Sequence, residues 1–296
     1  MNIAITGATG LIGQNLSQFL ERNGHKVSKL SRSKTNVKDF VHFDYKSKEI
    51  ELDKLEHVDV IVHLAGESIA GYWTKHKKEE IKTSRVEGTR FLVNSILKLQ
   101  NKPKHFICAS AIGAYGNRDD EIVDEKSDYG NGFLADISKD WENEASVLES
   151  HNIRVVNLRI GLVLSNLGGA LKSMLLPFKM GVGGKLGSGQ QYMSWVMLED
   201  VVGAIDFIIN NKDINGPVNI VAPKPVTNEQ FTKELGKALG RPTILNVPAF
   251  VLNTLVPDMA KEIILSSTRA VPQKLLDKGY QFQYTDIDSA FDYLLN

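Results

Sequence analysis

The first thirteen residues, MNIAITGATGLIG, constrain the fold more than any other part of the chain. Residues 2–6, NIAIT, are a short apolar run of the kind that is buried on both faces of a parallel sheet. Glycines follow at 7, 10 and 13, and from 11 to 22 the apolar residues Leu11, Ile12, Leu16, Phe19 and Leu20 recur at helical spacing. Each glycine has its own task in a strand–turn–helix of this kind. Gly7 permits the tight turn off the strand, Gly10 lets backbone approach a pyrophosphate, and Gly13 lets the helix pack close on the sheet. The helix start adds unpaired N–H groups and a positive dipole end. The loop at 7–13 is therefore expected to bind a dinucleotide; the alternative is a glycine turn that is structural only.

Further strands are expected at 26–32, 58–66, 105–111 and 154–164, with helices between them. One helix carries EEIKTSRVEGTRFLVNSI, with Val86, Thr89, Leu92, Val93 and Ile96 on its core face. Strand, helix, strand at this spacing implies α/β architecture: a doubly wound parallel sheet with right-handed crossovers. The second strand ends at Ser31-Arg32, where an NAD site usually places an acid for the ribose 2′-OH. A serine and an arginine fork match a 2′-phosphate instead, so NADP is preferred over NAD. The alternative for Arg32 is a solvated side chain beside Lys34.

After about residue 165 the chain becomes glycine-rich, with a helix expected near 170–180. A helix at 198–211, the strand GPVNIVAP and a capped helix at 227–240 follow, and IDSAFDYLL closes the chain as a helix. The expected organisation is a cofactor domain over 1–165 with an interleaved return of about 198–222, and a smaller substrate lobe mainly over 166–296.

Acids and bases balance at 35 each over 296 residues, so charge argues for neither a nucleic acid nor a membrane-surface partner. No apolar run is long enough to span a bilayer and the N-terminus has no signal-peptide pattern, so a cytoplasmic location is expected. The single cysteine, Cys108, rules out an intrachain disulfide. The seven histidines show no metal-ligand spacing, so no metal is expected, and His63 reads as a core histidine.

TGATGLIG, HLAG, RVEGTRFL, ASAIGAYG, the SK of ISKDWE, LRIGLVL and WVMLEDVV together resemble the extended short-chain dehydrogenase/reductase superfamily. The AGESI run, SRVEGT, SKDWE, the block GGALKSMLLPFKMGVGGKLGSGQQYMSWV and VPQKLLDKGYQF resemble, more narrowly, its atypical epimerase-family branch, nucleoside-diphosphate-sugar epimerase-like. The resemblance spans essentially the whole chain, and the mid-chain block is its most specific part. It implies a Rossmann-type lobe that binds NADP(H), with the pocket at the carboxyl ends of the strands. Carried over by position, the cofactor contacts fall on Gly7, Thr9, Gly10, Leu11, Ile12, Gly13, Ser31, Arg32, Leu64, Ala65, Gly66, Glu80, Arg85 and Val163. The superfamily's usual asparagine before V-x-G-T is replaced here by Arg85.

The resemblance also locates a departure. In the working enzymes a tyrosine is the general acid/base and a lysine four residues later lowers its pKa, one helical turn apart on one face. Lys139 matches the lysine, but Ala135 stands where the tyrosine should. Ser110 matches the serine that sits near the substrate oxygen, as a hydrogen-bond donor to it, the alternative being a plain strand-end serine; Tyr115 is a candidate substitute acid/base with Lys139 as its cation, the alternative being a cap on the pocket. Asp136 reads more simply as a helix-surface acid. Gln190, Gln191, Tyr192, Ser194 and Trp195, with Lys179 and Lys185, are expected to form a polar substrate wall; the alternative makes Trp195 core and the lysines solvated.

Two functions fit. One is an NADP-dependent oxidoreductase or epimerase acting on a small polar or nucleotide-sugar substrate. The other is a non-catalytic NADPH-binding redox sensor or interaction protein. A homodimer through the helices around 85–100 and 136–150 is compatible with the superfamily resemblance.

Overall fold

The computed structural model describes residues 1–34, 37 and 39–295. In chain order the first half runs β1 (Asn2–Thr6), α1 (Leu11–Arg22), β2 (Lys26–Ser31), β3 (Phe40–Asp44), β4 (Glu49–Ile50), β5 (Val60–His63), α2 (Lys75–Ile96) and β6 (His105–Ala111). A short β7 (Ile122–Val123), α3 (Phe133–Ser146) and β8 (Arg154–Ile160) follow. The second half contains β9 (Leu162–Leu164), α4 (Gly169–Lys179), β10 (Gly184–Leu186), β11 (Tyr192–Met193), β12 (Trp195–Met197), α5 (Leu198–Asn210), β13 (Gly216–Ile220), β14 (Val226–Thr227) and α6 (Asn228–Ala238).

Among the described residues the largest sheet has eight strands in the order β13-β8-β6-β5-β1-β2-β3-β4, with only β4 antiparallel to its neighbour. Chain direction across the sheet reverses at β1: β2 lies on one side of it and β5 on the other. In an open parallel sheet this switch point opens a crevice beyond the strand ends. Helices cover both faces. Ile3, Ile5, Val156 and Leu158 pack with α1 and α5, whereas Ala4, Ile61, Phe106 and Val155 pack toward α2 and α3. Strands buried on both faces need continuous apolar runs, and NIAIT and VIVH supply them.

Several elements differ from the sequence expectations. The segment 154–164 is two strands, not one. Ile160 ends β8; Gly161 N–H then donates to Ile220 O and Leu162 N–H to Ser194 O, so the chain leaves the main sheet and pairs as β9 with β12. The strand expected over 58–66 is confined to 60–63, because Leu64 and Ala65 already turn across the end of β1. Helix α2 begins at Lys75, capped by Thr74 Oγ1 accepting from Lys77 N–H, a turn earlier than its apolar face suggests. Strands β3 and β4, not expected, extend the sheet beyond β2.

Helix α6 opens on a full capping box: Thr227 Oγ1 accepts from Gln230 N–H, and Gln230 Oε1 accepts from Thr227 N–H. Thr227→Ala removes one half of that exchange and is expected to cost about 1 kcal/mol, read as a lower urea midpoint at unchanged slope.

Candidate functional site

The loop between β1 and α1 lies at the switch point. Gly10 N–H donates to Gly7 O over 3.0 Å, closing a tight turn. Gly7 has φ +66°, and a Cβ there would sit 2.8 Å from the Leu64 carbonyl; a Cβ on Gly13 would lie 2.3 Å from Gly7 O. Both positions are closed to side chains, so loop, helix and the 64–65 backbone come together. Gly10 caps α1 with no side-chain acceptor, which leaves the first-turn N–H groups facing outward at an exposed Thr9-Gly10 edge. Orphan N–H groups at a positive helix end suit phosphate oxygens.

Thr6 and His63 hold this edge from below. Thr6 Oγ1 accepts from Leu64 N–H and Ala65 N–H, each over 3.1 Å, so its own hydrogen goes to His63 Nδ1 at 2.6 Å. That fixes the tautomer, and Nε2–H donates to Thr89 Oγ1 at 2.9 Å. His63 is thus the core histidine expected, fully buried, and burial pushes its pKa down to about 3.

Several charged groups gather beyond the end of β2. Ser31 ends β2 beside β1, and its Oγ accepts from Ser33 N–H. Arg32 is exposed and forms no ion pair among the described residues, whereas Lys34 pairs with Glu49 at 2.7 Å. Lys77 above all, then Arg32 and Lys46, hold the Glu67 carboxyl below its usual range, so the cations share one neighbourhood. Glu80 is half-buried, 3.6 Å from Lys46 and 3.7 Å from His76. Arg85 donates from Nη1 to Glu67 O and Ile81 O and lies 5.3 Å over the Trp141 ring. Burial lowers its pKa to about 10. The guanidinium lies beside Gly66, where a Cβ would stand 3.4 Å from Arg85 Cζ, an ordinary contact. Val163 is half-buried in β9, and its carbonyl lies close to Gly169. The Leu11 side chain lies where Cβ atoms on Gly168 and Gly169 would meet it, at 3.7 and 3.4 Å, so the start of α4 sits over the beginning of α1.

The candidate catalytic residues fall into a network that was not expected. Ser110, on β6, donates to Glu142 Oε1 of α3 at 2.6 Å. Arg159, on β8, donates to the same carboxylate from Nε (2.9 Å) and Nη2 (3.0 Å), and Tyr129 O–H donates to Oε2 at 2.7 Å. Glu142 and Arg159 are 4% and 2% exposed, and the guanidinium lies between the Tyr115 and Tyr129 rings, 4.9 Å from each. Tyr115 is fully buried; its hydroxyl donates to Asn219 Oδ1 at 2.7 Å, and Asn219 is oriented by donating to Val271 O.

The cation beside Tyr115 is therefore Arg159, in place of the expected Lys139, and burial raises the phenol pKa rather than lowering it. Lys139 is exposed on α3 and forms no ion pair or hydrogen bond among the described residues. Ala135 is 1% exposed, so no vacant tyrosine pocket remains at that position.

The expected polar substrate wall is also corrected. Gln190 Nε2 donates to Glu229, Gln191 Nε2 to Leu186 O and Ile264 O, and Ser194 Oγ to Thr268 O. Trp195 is fully buried with Nε1 on Lys224 O, Tyr192 lies under Arg269, and Lys185 pairs with Glu229. These groups tie residues 185–195 to 224–229 and 264–269, and only Lys179 among them stays exposed without such a role.

Residues 258–262 strap across to α2 and α3. Lys78 of α2 pairs with Asp258 at 2.5 Å, Glu262 accepts from Leu134 N–H in the first turn of α3, and Met259 packs with Trp73, Ile81 and Ile137. The outer face between α2 and α3 is polar, with Glu79, Lys82, Glu87, Arg90, Asp140 and Asn143 around it. Among the described residues no cluster of acids, histidines or cysteines could hold a metal, and no helix is long and apolar enough to cross a membrane.

A doubly wound parallel sheet with an uncapped, glycine-lined helix start at its switch point places the protein in the Rossmann class. The chain belongs to the NAD dependent epimerase/dehydratase family, whose model matches residues 3–221; residues 247–294 match a domain of unknown function. It is 38% identical over 299 residues to the epimerase family protein YfhF of Bacillus subtilis, covering 100% of this chain and 98% of that one. The chloroplastic SDR39U1 homolog of Arabidopsis thaliana is 34% identical, with 98% of this chain and 85% of that protein covered. A crystal structure of the human epimerase family protein SDR39U1 with NADPH superposes with a TM-score of 0.90 at 30% identity, covering 100% and 99% of the two chains. These relatives support the atypical epimerase-family branch of the short-chain dehydrogenase/reductases.

Proposed function

We propose that the chain is an NADP(H)-dependent, epimerase-like oxidoreductase that holds its cofactor across the Gly7–Gly13 edge. The observation that carries this is the pairing of orphan helix N–H groups with an exposed Arg32 at the end of β2, where an NAD site would place an acid. The SDR39U1 structure with NADPH supports the same choice. Arg32 and Ser31 would take the 2′-phosphate, the 11–13 N–H groups the pyrophosphate, and Leu64, Ala65 and Gly66 the close-packed backbone edge. When bound, the cofactor supplies hydride donor and acceptor chemistry. Lys139, exposed one turn beyond Ala135, is the group that would meet the nicotinamide ribose. Ser110 belongs to the pocket beyond it, whereas Tyr115 is assigned to the packed interior rather than to proton transfer.

Arg32→Ala should weaken NADPH binding roughly 10- to 100-fold, the worth of a charge-assisted phosphate bond, and leave NADH nearly unchanged. Titration of nicotinamide fluorescence reads this directly. A variant that binds both as the wild type does would remove Arg32 from the site.

The second reading, an NADPH-binding sensor without turnover, is favoured by one observation: the hydroxyls of Ser110, Tyr115 and Tyr129 all donate inward while position 135 is alanine. It predicts that reduced and oxidised cofactor produce different conformations or partners. Identical hydrogen exchange of the NADPH- and NADP-bound forms would count against it.

A further inference from the structure

Glu142 accepts four hydrogen bonds: from Ser110 and Arg159 Nε on one oxygen, and from Tyr129 and Arg159 Nη2 on the other. All of its in-plane lone pairs are in use, and it is almost completely buried. With every acceptor site of Glu142 taken, the Ser110 hydrogen is held on Oε1. Ser110 is the penultimate residue of β6, on the edge of the sheet where ligands of parallel α/β folds bind, and it keeps 4% of its surface exposed. Its oxygen accepts from no donor among the described residues. What Ser110 offers a ligand is thus a lone pair without a hydrogen.

We propose that Ser110 selects a ligand group that donates a hydrogen bond, a hydroxyl or an amine, over one that only accepts, such as a carbonyl. Glu142 is the positioning residue that sets this polarity. A hydroxyl facing Ser110 gains a bond; a carbonyl oxygen meets a second lone pair and is left unpaired. Ser110 accordingly gives no proton to a carbonyl or an alkoxide. This deepens the proposed cofactor-dependent function and rests on it.

The test uses the full chain saturated with NADP and two probes of one shape, cyclohexanol and cyclohexanone. Binding is followed by the amide resonances of Ala111 and Gly113, which flank the turn after Ser110. Cyclohexanol should bind roughly ten-fold more tightly than cyclohexanone. Ser110→Ala should bring the two within about two-fold of one another, whereas Ser110→Thr, which keeps a hydroxyl able to donate to Glu142, should preserve the difference. Equal affinities, tighter binding of the ketone, or no shift of these amides with either probe overturns the proposal. NADP binding is titrated first. Failure at that stage overturns the cofactor reading itself, while loss of discrimination in a cofactor-loaded protein overturns only the role of Ser110.

Discussion

Glu142→Ala should cost the fold about 3–5 kcal/mol. The reason is the partner left behind. Arg159 is 2% exposed, lies between two tyrosine rings and loses both of its carboxylate bonds, so a guanidinium stays in the interior without an anion. Ser110 and Tyr129 lose their acceptor in the same step. Solvent screening, which reduces most surface pairs to nearly nothing, has no access here. Replacing Arg159 with methionine in the same chain should return part of the loss, because the orphaned charge goes with it. Urea unfolding of the single and double variants measures both. A loss below about 1 kcal/mol for Glu142→Ala would show that the pair is solvated.

The second large effect is a loss of stability in acid that traces to His63. Folding buries this imidazole between Thr6 and Thr89 and lowers its pKa from the ordinary 6.5 to about 3. Below pH 6.5 the unfolded chain takes up a proton that the folded chain refuses until about pH 3. The contribution is therefore complete above 6.5 and is lost as pH falls, at roughly 1.4 kcal/mol per pH unit through that window. His63→Gln should unfold more readily at pH 7 but show a shallower decline between pH 6.5 and 4. The difference between the two stability profiles isolates His63 from the carboxylates that titrate in the same range. Parallel profiles would mean that the histidine protonates in the folded state. Because Thr6 also anchors the Leu64–Ala65 turn, the same acid transition should loosen the floor of the glycine loop.

The glycine loop was legible because its constraints are local: the strand, the turn, the helix and the reason for each glycine lie within thirteen residues. The ends of β8 were not, because Gly161 and Leu162 divert the chain by donating to Ile220 O and Ser194 O, both distant in sequence. The Glu142–Arg159 pair did carry a signal. Along RVVNLRI the side chains alternate, so Arg159 must share a face with Val155 and Asn157, toward α3. On α3 the buried stripe of Trp141, Glu142 and Ala145 already contains an acid. An arginine and a glutamate on two facing buried surfaces require each other. The residues from Gln190 to Trp195 looked like a ligand wall because polar and aromatic types mix there. Their partners, Ile264 and Thr268 among them, lie some seventy residues further on, where no local pattern announces them. Tyr115 misled for a related reason: sequence places it near a strand end, and only the packing of Arg159, Asn219 and Val271 shows that it faces inward.

The most direct measurement is a titration of the wild-type protein with NADPH and with NADH, followed by nicotinamide fluorescence at several salt concentrations. The expected result is saturable one-to-one binding of NADPH, at least roughly ten-fold tighter than NADH, with the preference shrinking as salt screens the exposed Arg32. Equal affinity for the two would contradict the assignment of Ser31 and Arg32 to a 2′-phosphate. Binding of neither would mean that the Gly7–Gly13 turn serves only to pack α1 against the sheet.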